Sequence, residues 1–248
     1  MSGAVADTRF LRGLSTEFLQ RHNRPGPRYT SYPTAPEWGE EVTERELRAM
    51  LRGRSAANPA APLSLYFHIP FCEHRCSFCA CNAIATPKRE VVDPYLRALD
   101  QEMEIFASEL AAAGADQRPV TQLHFGGGTP TFLTPPEIEW LMDRIRSHFH
   151  IGEGAEISVE IDPCVTDAAH MRTLRAQGFN RVSLGVQDFD STTQQSIERV
   201  QTVEETRELT DLARELGFDS VNFDLVYGLP HQTPETINRS LDIILEMR

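Results

Sequence analysis

The sequence has no run of apolar residues that approaches the roughly 20 needed by a membrane-spanning helix. Its first ten residues also lack the charged start and the apolar core of a signal peptide. These two absences predict a chain that does not enter a membrane. A cytoplasmic location is the default expectation.

Positive charge is scarce as well. The 248 residues include 24 Lys and Arg against 36 Asp and Glu, a formal net charge of −12 at pH 7. Because such a chain repels polyphosphates on average, we expect no nucleic-acid partner. A polyanionic small substrate would need a local basic patch.

Cysteine is rare, and its few positions are crowded. Four of the five cysteines fall within ten positions, namely Cys72, Cys76, Cys79 and Cys81. In a reducing compartment such crowding indicates metal binding or redox chemistry rather than disulfides.

Two parts of the chain have different patterns. Residues 1–60 are predicted to be an N-terminal helical and irregular extension, with a helix over residues 8–22 and a linker over residues 55–62. A further short helix should begin at Thr43, because Glu46 completes a capping box. Residues 61–248 are predicted to form the core domain.

In the core domain, short apolar runs suited to buried strands alternate with amphipathic helical stretches. The predicted strands are Leu63–His68, Val120–Phe125, Glu156–Ile161, Arg181–Val186 and Ser220–Val226, and the predicted helices are Asp93–Ala113, Pro136–His148, Asp167–Gln177, Val203–Leu216 and Pro234–Met247. Five βα units in succession predict an α/β fold with a parallel sheet, either open or part of a (βα) barrel.

The last predicted helix has neither a glycine cap nor a following strand. We therefore expect the core domain to be truncated at its C-terminal end. The alternative is a five-stranded protein of the flavodoxin-like type.

The cysteine segment, HIPFCEHRCSFCACN, directly follows the first predicted strand. Active sites of parallel βα folds form at the carboxyl ends of the strands. Three thiolates with C-x3-C-x2-C spacing, from Cys72, Cys76 and Cys79, can each bind one iron of a [4Fe–4S] cluster and leave the fourth iron open. A zinc site completed by Cys81 is the alternative, although structural zinc sites usually take ligand pairs from two separated knuckles.

The cysteine loop, with Phe78 before its third cysteine, resembles the radical S-adenosylmethionine (SAM) signature. Further segments resemble the oxygen-independent coproporphyrinogen III oxidases of that family, and they are RYTSYPTA (28–35), SLYFHIPFC (64–72), CACN (79–82), LHFGGGTPT (123–131), EISVEIDP (156–163), GFNRVSLGVQDF (178–189) and DLVYGLPHQT (224–233). The resemblance runs from Arg28 to the C-terminus, and the C-terminal part of the family has no counterpart here. It implies a partial TIM-type barrel of the radical SAM kind and an N-terminal fragment that does not complete the reaction alone.

The resemblance also implies the roles of individual residues. Tyr66, Gly127 and Glu160 would bind the SAM that sits on the cluster. The rest of the SAM-binding region, including a second SAM site, would be lined by Phe78, Gly128, Thr129, Gln187, Arg199 and Asp224. Taken alone, the glycines could form a merely structural turn, Glu160 could cap a helix, and Arg199 could be a solvated arginine at a helix end.

The implied reaction is the conversion of coproporphyrinogen III to protoporphyrinogen IX. A radical derived from SAM would remove a hydrogen from a propionate side chain, and loss of CO2 would leave a vinyl group. A reductase, flavodoxin or ferredoxin would supply the electron. No side chain is predicted to be the central catalyst, because the cofactor carries the reactivity. A haem chaperone related to this family and a radical SAM enzyme with another substrate are the alternatives.

A local basic island lies near the N-terminus. Between Phe18 and Pro36 there is no Asp or Glu, whereas Arg21, Arg24 and Arg28 all occur there. Arginine can grip a carboxylate with two parallel hydrogen bonds, so the segment between Arg21 and Tyr32 is predicted to hold the substrate propionates, with Tyr29 and Tyr32 packed on the pyrroles. The alternative is an ordinary basic linker.

In a protein that completes the reaction, we expect Arg28→Ala to raise the Michaelis constant for coproporphyrinogen, since one carboxylate contact is lost. SAM cleavage without substrate should be unaffected, because the implied cluster and SAM residues lie elsewhere. Steady-state kinetics alongside uncoupled SAM cleavage tests this. Loss of SAM cleavage in the variant would contradict the substrate role.

Overall fold

The computed structural model describes residues 15, 17–18, 21, 39 and 42–247. The RYTSYPTA motif, most of the predicted helix over residues 8–22 and the basic island after Arg21 lie outside these residues. The chain divides into two compact units, Met1–Leu47 and Arg48–Arg248. The boundary at residue 60 stays a prediction.

The helix that the capping box predicts is present. The Thr43 N–H donates to Glu46 Oε2 at 2.8 Å, and the Glu46 N–H donates to Thr43 Oγ1 at 3.3 Å. The helix, α1, spans Glu44–Ala57. It therefore includes the start of the predicted linker, because Ser55 is buried and accepts a hydrogen bond from Arg118 Nη1 at 3.3 Å.

All five predicted strands of the core domain are present, and the chain also forms two short strands that the sequence did not predict. In chain order the strands are β1 (Leu63–Ile69), β2 (Phe71–Cys72), β3 (Ile84–Ala85), β4 (Pro119–Gly127), β5 (His150–Ile161), β6 (Arg181–Gln187) and β7 (Ser220–Leu225). The main sheet is parallel throughout and has the order β1-β4-β5-β6-β7, while β2 pairs with β3.

The order of the five main strands follows the order of the chain. A (βα) barrel is wound in this way, whereas a flavodoxin-like sheet has the order 2-1-3-4-5. The flavodoxin-like alternative is therefore wrong. In the part of the chain that the structure describes, β1 and β7 are the outer strands of the sheet.

The helices that follow these strands begin and end within one residue of their predicted positions. They are α2 (Val92–Ala112), α3 (Pro135–His148), α4 (Ala168–Ala176), α6 (Val203–Glu215) and α7 (Pro234–Glu246). A further short helix, α5 (Ser191–Ser196), was missed because its sequence, STTQQS, has no apolar period. None of the helices in residues 42–247 has the length and apolar character needed to cross a membrane.

The strand β5 begins six residues earlier than predicted. His150 pairs with Pro119, and the register shifts between Val120 and Gln122 before regular pairing resumes. Gly152 and Gly154 interrupt the apolar pattern here, as glycine does at irregular places in strands. The sequence therefore gave no sign of the first half of this strand.

The sheet is buried on one face only, in contrast to the expectation of buried strands. Side chains alternate between the faces of a strand. On the covered face, residues such as Phe67, Ile69, Leu123, Phe125 and Leu184 form the core. The opposite face, called here the polar face, carries Ser64, Tyr66, His68, Gln122, His124, Glu156, Ser158, Glu160, Arg181, Ser183, Asn222 and Asp224, none of them fully buried.

A buried carboxylate connects α2 to α1. Glu109 is buried and accepts hydrogen bonds from Arg48 Nη1 at 2.6 Å and from Arg52 Nη2 at 3.0 Å. The hydrogen bonds from Arg52 and Arg48 hold the pKa of Glu109 at about 2, below its usual 4.5.

We expect Glu109→Gln to lower the melting temperature at pH 7. The folded-state pKa of Glu109 is depressed, so its contribution is complete above pH 4.5 and is lost as the pH falls towards 2. The difference between the two melting temperatures should therefore shrink between pH 5 and pH 2. Thermal melts across that range test this, and a constant difference would contradict it.

Candidate functional site

The cysteine loop is closed at its base by the short ladder between β2 and β3. Phe71 pairs with Ile84, and Cys72 pairs with Ala85. The Thr86 N–H donates to the Cys72 carbonyl oxygen at 2.9 Å. The residues between these strands, which include Cys76 and Cys79, therefore form a closed loop beyond the carboxyl end of β1.

The outer part of the loop is attached to other elements. The Ser77 N–H donates to the Ile197 carbonyl at 3.3 Å, and Ser77 Oγ donates to the Ser196 carbonyl at 3.3 Å, at the end of α5. On the other side, His68 Nε2 lies 2.7 Å from the Asn82 carbonyl oxygen. These contacts fix the loop over the end of the sheet.

The turn after β4 packs directly against the base of this loop. The Gly128 N–H donates to the Ile69 carbonyl at 2.8 Å, and the Thr129 N–H donates to the Phe71 carbonyl at 2.8 Å. A Cβ atom at Gly128 would lie 2.9 Å from Cys72 Sγ and 2.8 Å from the Phe71 carbonyl oxygen. The glycine is therefore required by the close backbone approach itself.

Gly127 has a further reason to be glycine. Its φ is +118°, a conformation that residues with a side chain rarely adopt. A Cβ atom there would also lie 2.9 Å from the His68 ring. The structural role that the sequence allowed for these glycines is thus present, whether or not a ligand binds beside them.

Most of the predicted site residues line a single pocket above the carboxyl ends of the strands. Its empty space is about 880 Å³, part of it open to solvent. Eleven of the twelve predicted residues line it, and they are Cys72, Cys76, Phe78, Cys79, Gly127, Gly128, Thr129, Glu160, Gln187, Arg199 and Asp224.

Tyr66 is the predicted residue that does not line this pocket. Its ring stacks on His124, with centroids 5.7 Å apart, and its hydroxyl lies 3.1 Å from His68 Nδ1. It borders an apolar groove between β1 and α2. Burial and the Glu160 charge raise the pKa of Tyr66. Tyr66 is therefore connected to the pocket indirectly, because its ring stacks on His124 and His124 contacts the pocket residue Glu160.

Glu160 is held by a pair of residues that the sequence did not suggest. Its Oε1 lies 3.3 Å from His124 Nε2, and His124 Nδ1 lies 2.7 Å from Ser158 Oγ. Asp167 caps the next helix by accepting hydrogen bonds from the Ala169 and His170 N–H groups. The helix-cap role considered for Glu160 is therefore wrong.

Gln187 and Asp224 also project from the strand ends, and neither caps a helix. Gln187 has a φ of 66°, the left-handed conformation that a non-glycine residue seldom adopts. Asp224 accepts hydrogen bonds from Ser183 Oγ at 2.6 Å and from Asn222 Nδ2 at 2.8 Å. The caps of α5 and α7 are Asp190 and Thr233, respectively.

Arg199 is buried, so the alternative of a solvated arginine is wrong. Its side chain is 9% exposed and pairs with Asp162 at 2.9 Å. Nη2 donates to the Gly185 carbonyl at 2.6 Å, and Nη1 lies 3.7 Å from Cys76 Sγ. In the described part of the chain, Arg199 Nε is buried without a hydrogen-bond partner.

The donor set of the loop fits an iron–sulfur cluster. Cys72, Cys76 and Cys79 are partly buried free thiols that line one pocket. Burial raises the pKa of the Cys72 thiol, which also shares a hydrogen bond with Thr129 Oγ1 at 3.3 Å. Within residues 42–247, no three His, Cys, Asp or Glu side chains converge in a way that could hold a single metal ion. A cluster that offers each thiolate a different iron does not need such convergence.

Cys81 lines the same pocket but differs from the other three thiols. It is more exposed than they are, although its thiol is still partly desolvated, and this desolvation together with the neighbouring Cys79 raises its pKa to about 11.

Sequence reasoning missed the residues that support the site. His124, Ser158, Ser183 and Asn222 lie on the polar face, where the alternation of apolar and polar residues in each strand could have indicated them. Asp162 gave no comparable signal, because its partner Arg199 is 37 residues away in sequence and follows another strand.

Comparisons with known proteins agree on one family. The profile described as Radical SAM superfamily matches residues 66–244. An oxygen-independent coproporphyrinogen III oxidase of Pseudomonas aeruginosa is 44% identical over 235 residues, which cover 94% of this chain and 50% of the relative. The enzyme of the same description from Escherichia coli is 46% identical over 92% of this chain and 48% of its own length. The chain thus spans about half the length of these relatives.

Solved structures give the same picture. The coproporphyrinogen III oxidase of Escherichia coli, described as a radical SAM enzyme, aligns with a TM-score of 0.81 and 45% identity over 89% of this chain and 49% of its own. A radical SAM methyltransferase from Kitasatospora setae aligns with a TM-score of 0.51 and 20% identity over 76% of this chain and 34% of its own. The second likeness concerns the fold alone.

We expect Cys72→Ser, Cys76→Ser and Cys79→Ser each to lose most of the iron after anaerobic reconstitution, because each removes one proposed iron ligand. Cys81→Ser is the matched control on the same loop and should keep its full iron content. Iron and sulfide analysis tests this. Full iron in Cys76→Ser, or none in Cys81→Ser, would contradict the proposed ligand set.

Proposed function

Because this chain belongs to the radical SAM superfamily, we propose that Cys72, Cys76 and Cys79 hold a [4Fe–4S] cluster at which SAM is cleaved. The family implies both the cluster and SAM. The residue assignment is carried by one observation. A single pocket brings these three thiols together with residues at the carboxyl ends of β4, β5, β6 and β7. When bound, the cluster and SAM supply reductive cleavage of a carbon–sulfur bond and the abstraction of a hydrogen atom.

The residues proposed for the SAM on the cluster are Tyr66, Gly127 and Glu160. A carboxylate such as Glu160 can accept two hydrogen bonds from a ribose diol, and His124 and Ser158 hold it in place. The Gly127–Gly128 turn brings backbone close to Cys72 without side chains between them. The turn would therefore leave room for a small ligand beside Cys72.

The proposed remainder of the SAM-binding region is Phe78, Gly128, Thr129, Gln187, Arg199 and Asp224. Arg199 supports this role because it lines the pocket and its guanidinium is a cation suited to the carboxylate of SAM. We further propose that some of these residues serve a second SAM molecule.

The proposed substrate is coproporphyrinogen III, two propionates of which would be oxidatively decarboxylated to vinyl groups in haem and porphyrin biosynthesis. The relatives that carry this activity in their names are 44% and 46% identical to the chain. The chain would supply the SAM-cleaving part of such an enzyme. A reductase, flavodoxin or ferredoxin would donate the electron.

We expect Glu160→Gln to weaken SAM binding by about one to two decades, because a lost charge-assisted hydrogen bond costs roughly 1.5–3 kcal/mol. Cluster loading should be unaffected. Equilibrium binding of SAM to the reconstituted protein, with iron analysis of the same samples, tests this.

Glu156→Gln is the matched control, because Glu156 lies on the same strand and face but pairs with Arg181 at 2.9 Å. The proposal is wrong if Glu160→Gln binds SAM as tightly as the unaltered chain. It is also wrong if Glu156→Gln weakens binding equally.

A further inference from the structure

We propose that Asp162 is a positioning residue, which holds the Arg199 guanidinium against the sulfur of Cys76 and thereby raises the reduction potential of the cluster. This inference rests on the proposed function, since it requires a cluster on Cys76. The observation that carries it is the continuous chain of contacts from Asp162 through Arg199 to the Cys76 sulfur.

The carboxylate of Asp162 is itself fixed. Its Oδ1 accepts the Cys164 N–H at 2.9 Å and lies 2.9 Å from Arg199 Nη2. The side chains of Asp162 and Arg199 are each only 9% exposed. Charge pairs that are this well shielded from water are screened little by salt and keep their geometry.

Arg199 is held at one further point. Nη2 also donates to the Gly185 carbonyl oxygen at 2.6 Å, which leaves Nη1 directed at Cys76 Sγ, 3.7 Å away. This distance lies within the range of a hydrogen bond to sulfur. The guanidinium charge therefore lies beside one of the three proposed iron ligands.

Space for the guanidinium depends on a glycine. A Cβ atom at Gly185 would lie 3.1 Å from Arg199 Nη2 and 2.8 Å from Gln187 Nε2. Gly185 has no positive φ, so alanine is compatible with its backbone. Gly185→Ala should therefore shift the guanidinium by a few tenths of an ångström without changing any charge.

The expected direction follows from electrostatics. A cluster gains negative charge when it is reduced, so a nearby cation and an N–H donor to its sulfur stabilise the reduced form and raise its potential. Arg199→Gln should therefore lower the potential. Asp162→Asn distinguishes a positioning role of Asp162 from a direct effect of its charge. If the carboxylate acted only through its own negative charge, removing that charge would raise the potential.

If Asp162 acts by holding Arg199, then Asp162→Asn lowers the potential even though a negative charge is removed. The double variant Asp162→Asn/Arg199→Gln should then lie close to Arg199→Gln alone. Two residues that act independently would instead give a double variant whose shift is the sum of the two single shifts.

The experiment is a potentiometric titration, followed by electron paramagnetic resonance, of anaerobically reconstituted protein without SAM. Omitting SAM removes any effect of Arg199 on SAM binding. Iron content is measured first. An unaltered chain that binds no cluster would overturn the proposed function together with this inference, whereas a loaded cluster whose potential rises or stays the same in Asp162→Asn would overturn the inference alone.

Gly185→Ala provides a second test if the Asp162→Asn variant does not bind the cluster. The inference expects a lowered potential in this variant, and an unchanged one overturns it. Glu156→Gln and Arg181→Gln are matched charge controls on the same sheet, at the opposite end of the strands, and should leave the potential unchanged. Gly53→Ala is the matched glycine control, because nothing lies within 4 Å of a Cβ atom there.

Discussion

The close approach between the turn after β4 and the base of the cysteine loop is the constraint on which the rest of the site depends. Backbone hydrogen bonds from Gly128 and Thr129 join the two segments, and neither tolerates a side chain between them. Because β1 and β4 are adjacent parallel strands, their carboxyl ends lie side by side, and the segments that follow them can be joined in this way. The three thiols are thereby carried over the strand ends, where the remaining site residues project.

The division of the sheet into an apolar and a polar face determines where a ligand can bind. Helices cover the apolar face with a continuous core, and this burial supplies most of the stabilisation expected of such a fold. Barrels of this topology usually fill the opposite face with bulky branched residues. Here that face carries hydroxyl, imidazole, amide and carboxylate groups instead. A sheet built in this way is stabilised from one side and leaves the other side to a solvated or ligand-filled space.

Local patterns predicted the fold well and the supporting residues poorly. The five main strands and their helices follow from the alternation and the helical period of short windows, and the Thr43 capping box follows from two residues. The cysteine spacing likewise lies within one loop. The early start of β5 was hidden by two glycines. The partnership of Asp162 with Arg199 was hidden by sequence distance, because the folded sheet alone brings the ends of β5 and β6 together.

Glu160 and Asp224, the two carboxylates at the strand ends, show how hydrogen bonds on the polar face can orient side chains that are not packed in a core. Glu160 is held by His124 from the neighbouring strand, and His124 in turn contacts Ser158, two residues before Glu160. Asp224 is held by Ser183 from the neighbouring strand and by Asn222, two residues before it. In both cases the partners come from the adjacent strand and from the previous position on the same face, which are the nearest neighbours that a parallel sheet offers. Hydrogen bonds within the sheet thus replace the packed layer of side chains that would otherwise orient these groups.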